Sequence, residues 1–237
     1  ETLRTLQASG LRSVGAGADD NAAWSAVHCV LASGVQVRVF AAATTSSGVP
    51  QDWSATASRS GIALLPDLAE PTAQRIAAAL AVPSDARALK IVSIHWGDNW
   101  VPRVPDAHRR FAQRLIDLGA ADIVHGHSSH HPLPIEVYRG RLILYGCGDL
   151  INDYEGIGPH GSQRSDVGCL YAAALDAESG GLAGLEIVPL QLRRFRLGEP
   201  DAAARQWALG QFNDSAAPFR TPVLPTPDRG WMLGGTH

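Results

Sequence analysis

The chain has few of the residues that build covalent or thiol-based sites. Only three cysteines, Cys29, Cys147 and Cys169, occur among 237 residues, and none is part of a Cys-x-x-Cys pair. Their odd number and wide separation exclude a disulfide framework and a zinc knuckle of paired thiolates. Any metal chemistry must therefore come from histidine and carboxylate ligands.

Long apolar runs and an excess of one charge are also missing. No segment approaches the roughly 18 consecutive apolar residues of a membrane span. Basic and acidic residues nearly balance, with a net charge of -3 at pH 7, so a nucleic acid held mainly through its phosphates is disfavoured as a partner. The start at Glu1 has neither a methionine nor a signal-peptide core, and we expect an upstream segment to be missing.

Three common enzyme motifs are absent. The sequence contains no Gly-x-Ser-x-Gly elbow, no Walker loop and no Rossmann glycine fingerprint. With 45% hydrophobic and 18% charged residues, the chain suits one globular domain over residues 1–237. Residues 1–196 carry the clearest pattern, and 197–237 are expected to form a C-terminal helix and an irregular tail.

Hydrophobic periodicity predicts an alternation of helices and strands. Helical spacing covers residues 1–9, 20–34, 71–81, 107–118 and 201–212. Strands are predicted at residues 35–42, 89–94, 122–124, 169–175 and 185–192, with a hairpin over 135–138 and 141–145. Residues 44–60, rich in Ser, Thr, Gly and Pro, are expected to form a surface loop. This order is typical of an α/β domain.

The densest chemistry lies in residues 122–131, which read Asp-Ile-Val-His-Gly-His-Ser-Ser-His-His. Imidazole is the commonest neutral ligand for Zn, Mn, Fe or Ni, and loops after strands are where α/β sheets present functional groups. Gly126 permits close backbone approach. The pattern favours a metal or phosphate site over a structural turn. His125 reads equally as a core residue and as a ligand, and His131 reads better as a loop residue.

A second histidine follows another predicted strand. His95 comes directly after residues 89–94, just as His127 and His130 follow residues 122–124. The carboxyl ends of parallel strands meet at one edge of a sheet. We therefore expect His95, His127 and His130 to converge.

Three segments together resemble one family. The runs Ser93-Ile-His-Trp-Gly97, Gly126-His-Ser-Ser-His130 leading into Pro134-Ile-Glu136, and Leu142-Ile-Leu-Tyr-Gly-Cys-Gly-Asp149 resemble the CapA/PgsA poly-γ-glutamate capsule synthesis proteins. That family is similar to the calcineurin-like metallophosphatases. The resemblance extends from Glu1 to about Arg196. It implies an α/β fold with two packed mixed β-sheets flanked by helices, lacking the N-terminal portion of the domain.

The resemblance also implies a metal site. His95, His127 and His130 would bind one or two divalent ions, Mn, Fe or Zn, and Trp96, Glu136 and Asp149 would face the substrate. The spacing of His127 and His130 is wider than the Gly-His-x-His of the phosphatases. Asp149 reads equally as a carboxylate that orients an imidazole and as a turn residue.

Further metal ligands of the family come from N-terminal Asp, Glu and Asn-His elements that have no match in this chain. We therefore expect the chain alone to bind metal weakly and to be a poor catalyst.

The function implied is capsule or poly-γ-glutamate biosynthesis, alongside other capsule-synthesis proteins. A metal-dependent hydrolase- or transferase-type site would act on a phosphoester, acyl-phosphate or γ-glutamyl substrate. One alternative is a non-catalytic component that binds or helps export an acidic polymer, and another is an unrelated mononuclear zinc hydrolase. Proteins that this chain resembles are often held at the cell envelope by N-terminal segments, so the sequence does not determine the cellular compartment.

Two polar segments carry alternative readings. Arg193, Arg194 and Arg196 interleave with Phe195 and read either as a contact for an acidic polymer or as a solvated strand end. Residues 152–155, Asn-Asp-Tyr-Glu, read either as the rim of a pocket or as turn chemistry.

Overall fold

A computed structural model describes residues 1–83, 86–153, 163–214, 219–228 and 230–234 of the chain. Contacts divide the chain into two compact units, Glu1–Gly97 with Asp106–His125, and Asp98–Pro105 with Gly126–His237. The boundary falls between His125 and Gly126. That residues 1–237 form a single domain stays a prediction.

The first unit is built on a mixed sheet with helices. Its elements are α1 (Thr2–Ala8), β1 (Ala16–Gly17), α2 (Asp20–Ala23), β2 (Val27–Val30), β3 (Gln36–Ala43), β4 (Gly61–Ile62), α3 (Glu70–Ala79), β5 (Leu89–His95), α4 (Asp106–Asp117) and the start of β6 (Ile123–His127). Strand β3 pairs antiparallel with β2 and parallel with β5. This combination of parallel strands and helices confirms the predicted α/β class.

Apolar side chains on β3 and β5 and on the inner faces of α3 and α4 form the core of this unit. Phe40, Val92, Ile76 and Leu115 are all fully buried. Burying side chains of this size is the dominant stabilising contribution in a domain of this kind. The strands and helices predicted in this region, 35–42, 71–81, 89–94 and 107–118, are confirmed.

The helix predicted over residues 20–34 is wrong beyond its first turn. Helix α2 stops at Ala23, and Val27–Val30 forms strand β2, which pairs with β3. Gly34, which reads as a helix stop, has a φ of 86° in the turn between the two strands. Pairing with β3 is a non-local interaction, and it outweighs the local helical spacing. His28 therefore lies on an exposed strand and not within a helix.

Strand β6 is longer than predicted. It runs from Ile123 to His127, so His125 and His127 lie on the strand itself and not beyond its end. Its start is anchored by Asp122, whose carboxylate accepts a hydrogen bond from the Lys90 backbone N–H at 2.9 Å. The Asp122 N–H in turn donates to the Lys90 carbonyl at 2.8 Å.

The second unit carries an antiparallel sheet. After the last residues of β6 come β7 (Ile135–Tyr138), β8 (Arg141–Leu144), β9 (Val167–Leu175), β10 (Leu182–Arg193), β11 (Arg196–Gly198), α5 (Ala202–Asn213), β12 (Val223–Pro225) and β13 (Trp231–Leu233). Strand β10 pairs with β9, β11 and β13, and β12 pairs with β13. The predicted β7–β8 hairpin is confirmed.

The sequence predicts an irregular tail, but part of the tail forms paired strands. Strands β12 and β13 pair in it, with Val223, Trp231 and Leu233 buried. Trp231 meets Phe212 of α5 edge-on, with ring centroids 6.0 Å apart. Such short strands among Pro and Gly are stabilised by partners distant in sequence, so their own pattern is weak. Among the helices that the structure describes, none is long and apolar enough to cross a membrane.

Candidate functional site

The loop that follows β6 is held in a constrained conformation. Ser128, 8% exposed, has a φ of 121°, a region that non-glycine residues rarely adopt and that costs on the order of 1–3 kcal/mol. The Ser129 hydroxyl donates to the His131 carbonyl at 2.9 Å, and the His130 N–H donates to the Asn99 carbonyl at 2.9 Å. These bonds fix the direction of the histidines that follow.

Two glycines after β8 allow a second segment to pass directly against this loop. A Cβ on Gly146 would lie 2.2 Å from the Ser129 hydroxyl oxygen, which is too close for any side chain. Gly148 has a φ of 70°, and a Cβ there would lie 3.1 Å from the backbone nitrogen of Pro132. The close approach delivers the next residue, Asp149, to the histidine loop.

His130 and Asp149 form the most informative contact of the site. Nδ1 of His130 lies 3.1 and 2.9 Å from the two carboxylate oxygens of Asp149. A carboxylate only accepts, so Nδ1 carries the hydrogen of this contact. The side chains are 19% and 25% exposed, respectively. The pair has the arrangement in which a carboxylate orients an imidazole for metal ligation or proton transfer.

Asp149 is itself held in place. Asn152 donates through Nδ2 to Asp149 Oδ2 at 2.9 Å and to the Ser165 carbonyl at 3.1 Å. Of the polar run 152–155, Tyr154 and Glu155 lie outside the described residues. Asn152 thus supports the carboxylate that orients His130.

Trp100 belongs to this site, and sequence reasoning missed it. Its ring centroid lies 5.3 Å from that of His130, and 6.0 Å from that of His131 with the planes only 11° apart. The one available signal was an aromatic residue in a polar loop shortly after His95. Trp100 provides an apolar wall beside the imidazoles.

The other two histidines of the cluster are packed inside the protein. Nδ1 of His125 lies 3.0 Å from the Ser93 hydroxyl, and burial lowers the pKa of His125. His131 is 1% exposed and donates from Nδ1 to the Pro132 carbonyl at 3.0 Å. Burial lowers the pKa of His131, and hydrogen-bonding groups around the ring, including the Pro132 carbonyl, oppose that shift in part. Both side chains are held by hydrogen bonds within their own units.

Trp96 and Glu136 are also buried. Trp96 is 2% exposed and stacks on His108, with ring centroids 4.4 Å apart. Glu136 is 4% exposed and accepts a hydrogen bond from the Tyr145 hydroxyl at 2.5 Å. Their contact with a substrate stays a prediction.

His95 and His127 are the last residues of β5 and β6. The His95 carbonyl accepts a hydrogen bond from the Thr44 N–H at 2.9 Å in the first unit, whereas His127 belongs to the second unit. Their convergence with His130 stays a prediction. Within the described ranges, no group of three or more His, Cys, Asp or Glu side chains is arranged to hold a metal ion.

Comparison with known proteins places these residues in a family. The sequence profile described as "Bacterial capsule synthesis protein PGA_cap" matches residues 1–154, which include β5, β6, the histidine loop and Asp149. The chain belongs to this family.

Named relatives agree with this membership. A "Probable polyglutamine synthesis accessory protein" of Mycobacterium tuberculosis is 42% identical over 229 residues, which cover 96% of this chain and 60% of that protein. The "PGA biosynthesis protein CapA" of Bacillus subtilis is 40% identical over 63 residues, 27% of this chain and 16% of that protein. The chain thus spans about 60% of the length of the mycobacterial relative.

Proposed function

We propose that this PGA_cap protein takes part in the synthesis of a bacterial poly-γ-glutamate or capsule polymer, as an accessory or CapA-like component working with other capsule-synthesis proteins. Support comes from the family match over residues 1–154 and from the printed names of its relatives. We further propose that the histidine loop and Asp149 form a metal-dependent hydrolase- or transferase-type site, on a fold like that of the metallophosphatases.

The His130–Asp149 contact is the observation that carries the second proposal. Because Nδ1 of His130 contacts Asp149, Nε2 is the nitrogen that would bind a metal ion, and the carboxylate would raise the basicity of the imidazole as a ligand. His95 and His127 would be the other histidine ligands. A divalent Mn, Fe or Zn ion would polarise a phosphoryl or acyl oxygen.

The described residues fit this metal only in part. His130 has the form of an oriented ligand, but no cluster of three donors is formed in the described part of the chain. No reaction step is therefore assigned to the ion. The contributions assigned to this chain are orientation of the imidazole by Asp149, support of Asp149 by Asn152, and an apolar wall from Trp100.

The substrate class that suits the proposal is an acidic polymer or a small phosphorylated or γ-glutamyl molecule. Contact of this substrate with Trp96 and Glu136, which are 2% and 4% exposed, is part of the proposal. A second candidate function is a non-catalytic component that binds the polymer.

Metal content and turnover separate the two functions. We expect the purified chain to bind a divalent metal weakly, measured by titration with Mn²⁺ or Zn²⁺, and to hydrolyse bis(p-nitrophenyl) phosphate slowly. His130→Ala and His127→Ala should lose metal and turnover. His28→Ala is the matched control, because His28 is exposed on β2 in the first unit.

The outcomes are distinct. Equal metal loss in all three variants would indicate unfolding and not ligand removal. A metal-free and inactive chain that still binds poly-γ-glutamate would support the non-catalytic alternative.

A further inference from the structure

The tip of the hairpin between β10 and β11 gathers positive charge around an exposed ring. Arg193, Arg194, Phe195 and Arg196, hereafter the arginine hairpin, are all exposed, and 61% of the Phe195 surface is accessible. The whole chain has a net charge of -3. This basic and aromatic tip is therefore a local feature and not a consequence of overall charge.

The turn conformation is unfavourable for its residues. Arg194 and Phe195 have φ values of 51° and 58°, so two consecutive non-glycine residues adopt the left-handed region. A two-residue hairpin of this kind favours Asn-Gly or Asp-Gly, because Cβ atoms disfavour positive φ. Because the chain has Arg194 and Phe195 in this unfavourable conformation instead of Asn and Gly, we expect their side chains to have a function.

The pair that closes the turn is unfavourable as well. Arg193 lies directly opposite Arg196 in the β10–β11 register, and like charges in directly opposed positions destabilise a sheet. The Arg193 guanidinium lies 2.5 Å from the Asp201 carboxylate. That exposed ion pair relieves the repulsion only in part, because water screens it.

Another hairpin in the same unit shows how the chain builds an ordinary turn. Between β7 and β8 the two turn residues are Arg139 and Gly140, with φ values of 49° and 73°. Glycine occupies the second position there without a steric cost, and that turn is closed by Tyr138 opposite Arg141. The arginine hairpin has Phe195 in the place of that glycine and Arg193 in the place of Tyr138. These residues are not the ones that turn geometry favours.

We infer that the arginine hairpin is a binding site for a flexible polycarboxylate chain. Guanidinium groups present paired N–H donors that match carboxylates. The Phe195 ring offers an apolar face for the methylene groups that separate carboxylates along such a chain. The choice of carboxylates as the anion rests on the proposed function, whereas the presence of an anion site rests on the hairpin alone.

The test uses a change that improves the turn while removing the side chains. In the double variant Arg194→Asn with Phe195→Gly, the thermal midpoint should rise, because Asn-Gly is the preferred sequence for this turn. The dissociation constant for a fluorescently labelled poly-γ-glutamate oligomer should increase about tenfold or more, because charge-assisted contacts are lost. Added salt should weaken wild-type binding, since exposed charges are screened.

Arg139→Gln is the matched control. Arg139 is also exposed beside a hairpin turn, and its replacement changes the net charge by one, as does Arg196→Gln. We expect Arg196→Gln to weaken binding and Arg139→Gln to leave it unchanged. Equal effects of the two single variants, or a stabilised double variant that binds as wild type does, would overturn the inference.

Two further arms identify the ligand and separate this inference from the proposed metal site. Neutral polyglutamine should not bind. Binding to phosphatidylglycerol vesicles without binding to poly-γ-glutamate would refute the polymer assignment in favour of a membrane surface. The hairpin variants should keep the metal content of the wild type, and removal of divalent metal with EDTA should leave polymer binding at the hairpin unchanged. A chain that binds no metal would therefore not contradict polymer binding at the hairpin. A hairpin that binds no polymer would likewise not contradict the proposed metal site.

Discussion

Replacing Asp149 tests the centre of the proposed site most directly. Asp149→Ala removes the contact of His130 Nδ1 with both carboxylate oxygens, at 3.1 and 2.9 Å, and the hydrogen bond from Asn152 at 2.9 Å. The His130 ring then loses the contact that orients it and that places a hydrogen on Nδ1. Nε2 would no longer be held as the nitrogen with the lone pair.

The expected effect is large on metal binding and small on folding. Loss of the partner that orients a ligating imidazole typically costs about 10–100-fold in metal affinity, which is about 1.4–2.8 kcal/mol. The side chains of the pair are 19% and 25% exposed, and one intramolecular hydrogen bond contributes about 0.5–1.5 kcal/mol to stability. Asp149→Asn should fall between wild type and alanine, since one carbonyl oxygen can still accept from Nδ1.

Metal affinity would be measured by competition titration with Zn²⁺ and Mn²⁺, and stability by thermal unfolding of the metal-free protein. Asp20→Ala is the control, because it breaks an exposed ion pair with Arg75, 2.5 Å long, in the other unit. Unchanged affinity in Asp149→Ala would refute the role of this carboxylate. Equal losses of affinity in Asp149→Ala and Asp20→Ala would show that the metal effect is not specific to the site.

Three other predictions address stability and reactivity. Leu115→Ala removes a fully buried side chain of α4 and should lower the free energy of unfolding by about 2–5 kcal/mol in urea titrations; a loss well below that range would mean that the site collapses around the cavity. A side-chain hydrogen bond from Arg114 holds the pKa of Glu70 at about 2, against an ordinary value of 4.5. The ionised Glu70 therefore stabilises the folded state above pH 4.5, and this contribution is lost as the pH falls through about 2. In Glu70→Gln, Tm should fall less steeply over this pH range. An equally steep fall would contradict the Glu70–Arg114 pairing. Burial raises the pKa of the Cys169 thiol to about 12, and its side chain is buried, so iodoacetamide near neutral pH should modify Cys169 only after denaturation. Rapid labelling of Cys169 in the native protein, seen by mass spectrometry, would contradict its burial.

The parts of the fold that could be predicted are those where side-chain period and burial agree. Strand β5 carries β-branched residues between polar ones, and α4 places Phe111 and Leu115 one turn apart on its buried face. The start of α5 was readable because Asp201 caps it, accepting a hydrogen bond from the Ala204 N–H at 2.8 Å. Local chemistry and tertiary packing favour the same structure in these segments.

Prediction failed where a distant partner determines the local structure. Residues 27–30 have helical spacing in sequence but pair with β3 along their whole length. Strands β12 and β13 are three residues each, too short for alternation to be recognised without the β10 strand beside β13. In both places the hydrogen bonds of the sheet, and not side-chain period, select the backbone conformation.

The sequence by itself determined the chemistry available to this protein. The histidines of residues 122–131, the absence of paired cysteines and the family-typical runs could all be read from the order of residues. Only the tertiary structure decided which imidazole is oriented and by what. Asp149 lies 19 residues after His130 and reaches it because Gly146 and Gly148 let one backbone segment pass against another. This contact depends on packing between segments, so no periodic pattern in the sequence predicts it.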